Sequence, residues 1–239
     1  MFPFRDHNPS SRFPYVSYAL IAINVIVFLL YGFRDEQFQW NVYMDWALVP
    51  AEVTAGDELF TFITAMFMHG GIMHLAGNML FLYVFGDNLE DYLGHVGYLV
   101  FYLICGIAAS WGQIVIDPLS EVPNLGASGA IAGLMGGYLV LFPKARVDCM
   151  LILIIIIKMI TLSAMIVLGA WLALQVIGGV SAWGVPGGGV AYWAHIGGFF
   201  AGIAFILMIW TVRGVPQNWP EMPHPEAAPV GPWSFASKS

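Results

Sequence analysis

Residues 126–144 read GASGAIAGLMGGYLVLFPK. The apolar part, residues 127–142, carries no charge, and Pro143 and Lys144 follow it with a helix breaker and a charge. Glycine recurs here at every fourth position, at Gly129, Gly133 and Gly137. Small residues at this spacing share one helix face and let a second membrane helix approach closely. The stretch therefore predicts a membrane-spanning helix packed against another helix along its glycine face.

The composition of the whole chain agrees with a membrane location. Of 239 residues, 59% are hydrophobic and only 10% are charged, and the mean hydropathy is +0.76. Soluble domains have roughly a quarter of their residues charged, so this chain cannot cover a globular surface in water. The formal net charge of −7 also excludes a nucleic-acid binder, which needs a basic face. The chain is therefore expected to be an integral membrane protein.

Six apolar runs are candidates for spans of about 20 residues. They are residues 15–33, 72–86, 96–116, 127–142, 162–180 and 190–212. The first run is too long for the core of a signal peptide and is interpreted as an uncleaved span. With the amino terminus in the cytoplasm, six of the eight Lys and Arg residues fall inside, as the positive-inside rule requires. The prediction is an all-α membrane protein, a six-transmembrane-helix bundle with both termini cytoplasmic.

The chain divides into a cytoplasmic segment 1–14, a membrane domain 15–212 and a tail 213–239. Within the membrane domain, the long loop 34–68 contains tryptophans that favour partial contact with the membrane interface. The tail holds six of the fourteen prolines and is predicted to be flexible and cytoplasmic. Residues 147–160, VDCMLILIIIIKMI, are short for a span. They either extend the fifth helix or form an embedded or interfacial segment.

Two polar side chains within the apolar runs are candidates for function, because polar groups are costly in a bilayer. Ser128 begins the fourth span, and His195 lies near the start of the sixth. These spans run in the same direction, so both side chains are expected at a similar shallow depth. Ala194, Gly198 and Gly202 repeat the four-residue spacing on the sixth span. Close packing would bring hydroxyl and imidazole together and make the serine a nucleophile, although each alone also fits a structural role.

A third group of polar residues, His69, His74 and Asn78, lies at the start of the second span. His74 and Asn78 are four residues apart and so share a helix face. Their N–H groups, together with the backbone N–H of Ser128, could bind a developing oxyanion. His69 is expected to tie down the preceding loop. A metal site is the alternative, but no HExxH motif or nearby carboxylate supports it, so neither metal nor cofactor is predicted.

Three stretches together resemble the rhomboid family of intramembrane serine proteases. They are FMHGGIMHLAGNMLFLYVFGDNLEDYLG at 67–94, GASGAIAGLMGGY at 126–138 and AHIGGFFAG at 194–202. The resemblance implies that Ser128 is the nucleophile and His195 the general base and acid. It further implies that His74 and Asn78 supply the oxyanion hole. His69 matches a structural histidine, and Gly126 matches the glycine at which a loop enters the helix of the serine.

The sequence departs from the family pattern at two places. Some rhomboids have an aromatic residue four positions after the serine that packs on the catalytic histidine, and here this residue is Ala132. Some have a Trp-Arg pair in the first loop, and here the matching residues are Phe60 and Thr61. Neither difference removes a reacting group. The first leaves open which group orients His195; the candidates are Tyr138, Tyr192 and Trp193.

The function expected from this resemblance is a serine endopeptidase that cleaves transmembrane or juxtamembrane peptide bonds. Its partners would be single-span or other transmembrane protein substrates and the lipid bilayer. The fifth span and the glycine-rich loop 181–189 are the expected substrate gate. The compact arrangement favours a bacterial inner (plasma) membrane. An inactive relative that only binds membrane clients is one rival, and a transporter, which would need charges at mid-membrane, is another.

Overall fold

The computed structural model describes residues 2–153, 156–184, 189–216 and 219. The helices are α1 (Tyr15–Tyr31), α2 (Glu36–Trp46), α3 (Pro50–Ala55), α4 (Thr61–Thr64), α5 (Ile72–Leu93), α6 (His95–Ile116), α7 (Ser128–Leu141), α8 (Ala164–Ser181) and α9 (Tyr192–Arg213). The strands are β1 (Phe2–Asp6), β2 (Arg146–Leu153) and β3 (Ile156–Ser163), and a short 3₁₀ turn spans Ala65–Phe67. The expectation of a mainly helical protein is confirmed.

Each of the six predicted apolar runs contains a helix. Within the described residues, α6, α8 and α9 are long and apolar enough to cross a membrane. A fourth crossing is possible if α5 is counted with α4 and the 3₁₀ turn, which meet it at a bend of 96°. The apolar helices α1 and α7 are shorter, with 17 and 14 residues.

A buried carboxylate joins the start of α1 to the end of α5. The backbone N–H groups of Val16 and Ser17 each donate to Glu90 at 2.8 Å, and the Ser17 hydroxyl donates to it at 2.8 Å. His95 Nδ1 lies 2.6 Å from the same carboxylate. The N–H groups in the first turn of a helix have no partner within the helix. The Glu90 carboxylate accepts from them here, because the N-cap residue, Pro14, has no side-chain acceptor.

Within the segment 147–160, the described residues 147–153 belong to β2 and residues 156–160 to β3, and the sequence did not predict these strands. β2 and β3 pair antiparallel from Arg146 and Ser163 to Leu153 and Ile156. β1 pairs antiparallel with β2, so the sheet order is β1-β2-β3. The suggested extension of the fifth helix is therefore wrong, and the all-α description is incomplete. Branched side chains favour strands, and the amino-terminal segment supplies a third strand.

The sheet is tied to α7 through the amino-terminal strand. Tyr138 Oη donates to Asp6 Oδ2 at 2.6 Å. Burial, aided by the nearby Asp87 carboxylate, raises the pKa of Asp6 from 3.8 to about 8. The contact joins the amino terminus to the helix that begins with Ser128.

We expect the docking of β1 to weaken as the pH rises from about 4 to 8. The folded protein keeps the proton on Asp6 up to about pH 8, whereas the unfolded chain loses it near 3.8. Folding therefore takes up a proton in this window, and a rise in pH opposes it. Hydrogen exchange of residues 2–6, corrected for intrinsic rates, should be faster at pH 8 than at pH 5. Asp6→Asn should abolish the difference, and an unchanged difference in that variant would assign it to another group.

The backbones of α7 and α9 are in direct contact. A Cβ atom built on Gly198 would collide with the carbonyl oxygen of Gly129, and one on Gly202 with that of Gly133. These two pairs confirm the predicted close approach of the fourth and sixth spans. Gly137 is also closely packed, because its Cβ position lies 3.0 Å from Phe101 on α6, 3.2 Å from Leu89 on α5 and 3.3 Å from Ile206 on α9. The adjacent Gly136, which the predicted pattern did not include, lies against the backbone of Phe199.

The predicted loop 34–68 is largely helical and supports the start of α7. Leu48 and Asn124 exchange two backbone hydrogen bonds of 2.7 and 2.9 Å. The N–H of Gly126 donates to the carbonyl of Ala65 at 2.9 Å. These bonds hold the segment that precedes Ser128.

Of the predicted flexible tail, the structure describes residues 213–216 and 219. Trp219 Nε1 donates to the carbonyl of Val140 at 2.8 Å, and its ring packs on Trp210 at 5.4 Å. Residues 217–218 and 220–239 lie outside the described residues, and the predicted flexibility there stays a prediction.

Candidate active site

Ser128 and His195 form a hydrogen-bonded pair. Ser128 is the first residue of α7, and His195 lies in the first turn of α9. The distance from Ser128 Oγ to His195 Nε2 is 2.8 Å. The backbone contact between α7 and α9 brings together two side chains that are 67 residues apart in the sequence. An imidazole at this distance can accept the hydroxyl proton of a serine.

Gly126 makes room for the groups around the serine. Its φ of +127° lies in a region that residues with a Cβ rarely adopt. A Cβ atom here would come 2.9 Å from His74 Nε2 and 3.5 Å from Ser128 Oγ. The imidazole edge of His74 and the Ser128 hydroxyl therefore face the same small space. A side chain at position 126 would fill this space, and glycine leaves it open.

Gln175 and Trp171 of α8 hold the other side of the histidine. His195 Nδ1 lies 2.8 Å from Gln175 Oε1, and the Trp171 ring lies 5.7 Å from the imidazole at 38°. With the amide oxygen accepting from Nδ1–H, the proton is placed on Nδ1 and Nε2 is left as the acceptor for the serine. The carboxylate of a conventional triad is thus replaced by a neutral amide.

The three aromatic residues expected to orient His195 contact other residues instead. Tyr138 donates to Asp6, far along α7 from the serine. Tyr192 packs against Gly178, and Trp193 packs edge-on against Trp183 at 5.4 Å. The prediction for these three residues is wrong, because the first turn of α9 directs the two neighbouring aromatic rings toward the end of α8.

Sequence reasoning missed Gln175, although a signal was present. It is the only polar side chain between Ala164 and Val180 in an otherwise apolar helix. A buried amide in a membrane helix needs a partner, by the argument that singled out His195. What the sequence does not show is which helix provides that partner.

Of the two predicted oxyanion side chains, His74 lies beside the serine, and Asn78 lies one helical turn further along α5. The N–H of Gly70 donates to His74 Nδ1 at 3.3 Å, which leaves Nε2 to carry the proton that points toward Gly126. Asn78 is buried, and its Nδ2 has no hydrogen-bond partner among the described residues. Two N–H donors are thus available without breaking any bond the structure shows.

His69 packs against His74 and is itself held by Tyr31. Tyr31 Oη accepts from the backbone N–H of His69 at 2.6 Å and donates to its carbonyl at 2.8 Å. The buried ring of His69 meets that of His74 edge-on at 5.1 Å. The tyrosine therefore fastens the loop before α5.

A small cavity of about 20 Å³ adjoins the serine. Ser110, Asn124, Gly126 and Ser128 are among its lining residues. This volume is enough for about one water molecule. Over the described part of the chain, no three His, Cys, Asp or Glu side chains are grouped as metal ligands would be.

These features define an integral membrane protein with a serine–histidine pair in its helical bundle, and comparison with known proteins gives the same class. The Rhomboid domain family matches residues 56–212. The chain belongs to the rhomboid family.

Individual relatives agree with this assignment. Rhomboid protein 1, mitochondrial, of Saccharomyces cerevisiae is 29% identical over 79% of this chain and 51% of its own length. Rhomboid-related protein 2 of Mus musculus is 32% identical over 74% of this chain and 58% of its own length. Rhomboid protease GluP of Bacillus subtilis is 31% identical over 53% of this chain and 24% of its own length. The chain spans about half the length of the first two relatives.

Proposed function

We propose that this protein is an intramembrane serine endopeptidase that cleaves membrane proteins within or next to their transmembrane segments. The observation that carries the proposal is the 2.8 Å contact between Ser128 Oγ and His195 Nε2. The names of protease relatives in Bacillus subtilis support the same activity at the level of the family. An inactive client-binding protein, the main rival, has no use for this contact.

In the proposed reaction, His195 Nε2 takes the proton of Ser128 as Oγ attacks the substrate carbonyl. The oxyanion of the tetrahedral intermediate accepts from His74 Nε2–H, Asn78 Nδ2–H and the backbone N–H of Ser128. Collapse breaks the C–N bond, and the leaving amine takes the proton from His195. Water then gives a proton to His195 and attacks the acyl ester, which releases the acid and restores the serine hydroxyl.

We further propose that all six helices cross the bilayer with both termini in the cytoplasm. Helix α7 has 14 residues and is therefore about 21 Å long. This is shorter than a hydrocarbon core of about 30 Å. Ser128 would thus lie below the outer membrane surface, within reach of water from the loops. A bacterial inner membrane remains our proposal for the location.

Substrate access is proposed to involve α8 and the loop that follows it. An intact substrate helix hides its carbonyls in hydrogen bonds, so helix-breaking residues should favour cleavage. Because Gln175 on α8 touches His195, outward movement of α8 would also release the histidine. Residues 185–188 of the expected gate lie outside the described residues.

The proposal is tested by covalent labelling and product analysis. The purified protein in detergent should react with a fluorophosphonate probe at Ser128, as located by mass spectrometry. It should also cleave at least one member of a panel of single-span substrates. Binding of substrates with neither labelling nor cleavage would support the inactive rival instead.

Gln175→Leu is expected to lower kcat about tenfold or more, because the imidazole loses the acceptor that places its proton. Gln175→Glu keeps an acceptor at the same position, and we expect it to restore most of the activity. A carboxylate next to Nδ1 also favours the charged imidazole, so the acid limb of the pH–rate profile should move to higher pH in that variant. Equal losses in both variants with an unshifted profile would show that Gln175 only fills space.

A further inference from the structure

A large cleft lies next to the candidate active site. Its volume is about 640 Å³, and residues 116–117, 120 and 122–124 line one wall and residues 189–193 another. Asn124 and Ala191 border both this cleft and the small cavity at Ser128. The cleft therefore lies directly beside the small cavity at the serine.

The described lining of the cleft suits a cationic side chain. Asp117 is the only charged residue in it. Gln113 adds a buried amide oxygen, Oε1, for which the described residues offer no hydrogen-bond partner. Trp183 and Trp193 pack edge-on at 5.4 Å in the same lining. A carboxylate, a free carbonyl acceptor and aromatic rings are the groups that bind Lys or Arg.

The segments around the cleft carry a net negative charge, as Asp117 does. The segments that join helices at the Ser128 end, residues 32–71, 117–127 and 182–191, contain eight Asp and Glu residues but only one Arg. The seven acidic and seven basic residues elsewhere cancel, so the whole net charge of −7 belongs to this end. A surface of one sign attracts ligands of the opposite sign.

Three acidic residues of the first loop, Glu52, Asp57 and Glu58, lie close to one another, and α3, which carries Glu52, is bonded to the cleft wall. The N–H of Ala51 donates to the carbonyl of Ser120 at 3.1 Å, which joins α3 to the cleft wall. Burial, with the neighbouring Glu58 and Asp57 carboxylates, raises the pKa of Glu52.

We propose that this cleft selects substrates with a Lys or Arg residue within a few positions of the scissile bond, and that Asp117 reads that residue. The proposal rests on the proposed protease function and adds the chemical class of the substrate. Most single-span proteins would not meet this requirement, because their basic residues lie mainly on the cytoplasmic side and the proposed site lies near the outer side.

The test uses one cleaved single-span substrate whose four residues on either side of the scissile bond are replaced singly by Lys, Gln or Glu. For the wild type, Lys should raise kcat/KM about tenfold over Gln at one position or more, the size expected of a charge-assisted hydrogen bond. Glu there should lower it. Asp117→Asn should remove the preference for Lys, and Asp117→Lys should reverse it in favour of Glu. Labelling by the fluorophosphonate probe verifies that both variants are folded.

Glu121→Gln is the matched control, because it removes the same charge from the same loop at a residue outside the cleft lining. It should keep the preference for Lys. If this variant loses the preference as fully as Asp117→Asn, a diffuse field rather than the cleft is responsible, and the proposal is wrong. Cleavage of all substrates without a charge preference overturns the proposal but leaves the protease function intact. Failure to cleave any substrate overturns both.

Discussion

Replacement of Ser128 by alanine is expected to lower the rate of peptide-bond cleavage by on the order of 10⁴-fold or more. The reason is that Oγ, 2.8 Å from His195 Nε2, is the proposed nucleophile, and alanine offers no atom that can form the acyl-enzyme. The measurement compares initial cleavage rates of one single-span substrate by the two proteins in detergent. Labelling by the fluorophosphonate probe should disappear together with cleavage.

The matched control is Ser163→Ala, which removes a serine at the end of β3. It should cleave and react with the probe as the wild type does. A Ser128→Ala protein that cuts at the wild-type rate would show that another group performs the chemistry. Because the hydroxyl is small and polar, its loss should leave the thermal unfolding temperature almost unchanged, so inactivity cannot be assigned to misfolding.

Gly198→Ala is expected to destabilise the protein by about 3 kcal/mol, the upper part of the usual range for overpacking. The added methyl group would collide with the backbone carbonyl of Gly129, and a backbone cannot move aside as a side chain can. The two helices must separate at this level, one turn from His195. A displacement of about 1 Å between reacting groups costs on the order of 10² in rate. Thermal unfolding in detergent and kcat/KM measure the two effects.

Gly169→Ala on α8 provides the control, because a Cβ atom there meets nothing within 4 Å. Alanine is the better helix former by about 1 kcal/mol, so this variant should be as stable as the wild type or more so. Equal stability of the Gly198 and Gly169 variants would contradict the contact between the backbones of α7 and α9.

The helical segments and the pair of Ser128 and His195 could be predicted because their signals are local or rest on chemical rarity. An apolar run of suitable length becomes a helix in lipid wherever it occurs in the chain. A serine and a histidine at matching ends of two such runs are then brought to similar depth. The spacing at Gly198 and Gly202 indicated the close approach, which the structure confirms.

The rotation of each helix could not be predicted in the same way. Gly136 and Gly137 are adjacent, and either can start a four-residue pattern. Only the packing of neighbouring helices decides that Gly136 meets the backbone of α9 whereas Gly137 faces side chains of α5, α6 and α9. Gln175 was missed for a related reason, since its partner belongs to a different helix 20 residues away.

The sequence by itself determined that this chain enters a membrane, where its helices lie and which polar side chains are candidates for chemistry, because lipid penalises every unpaired polar group and rewards every apolar run. Only the tertiary structure decided that β1, with Asp6, would pair with β2, which lies more than 140 residues away. It likewise decided that an amide on α8 would hold the imidazole. Such pairings depend on contacts between distant segments, which local patterns of hydrophobicity do not encode.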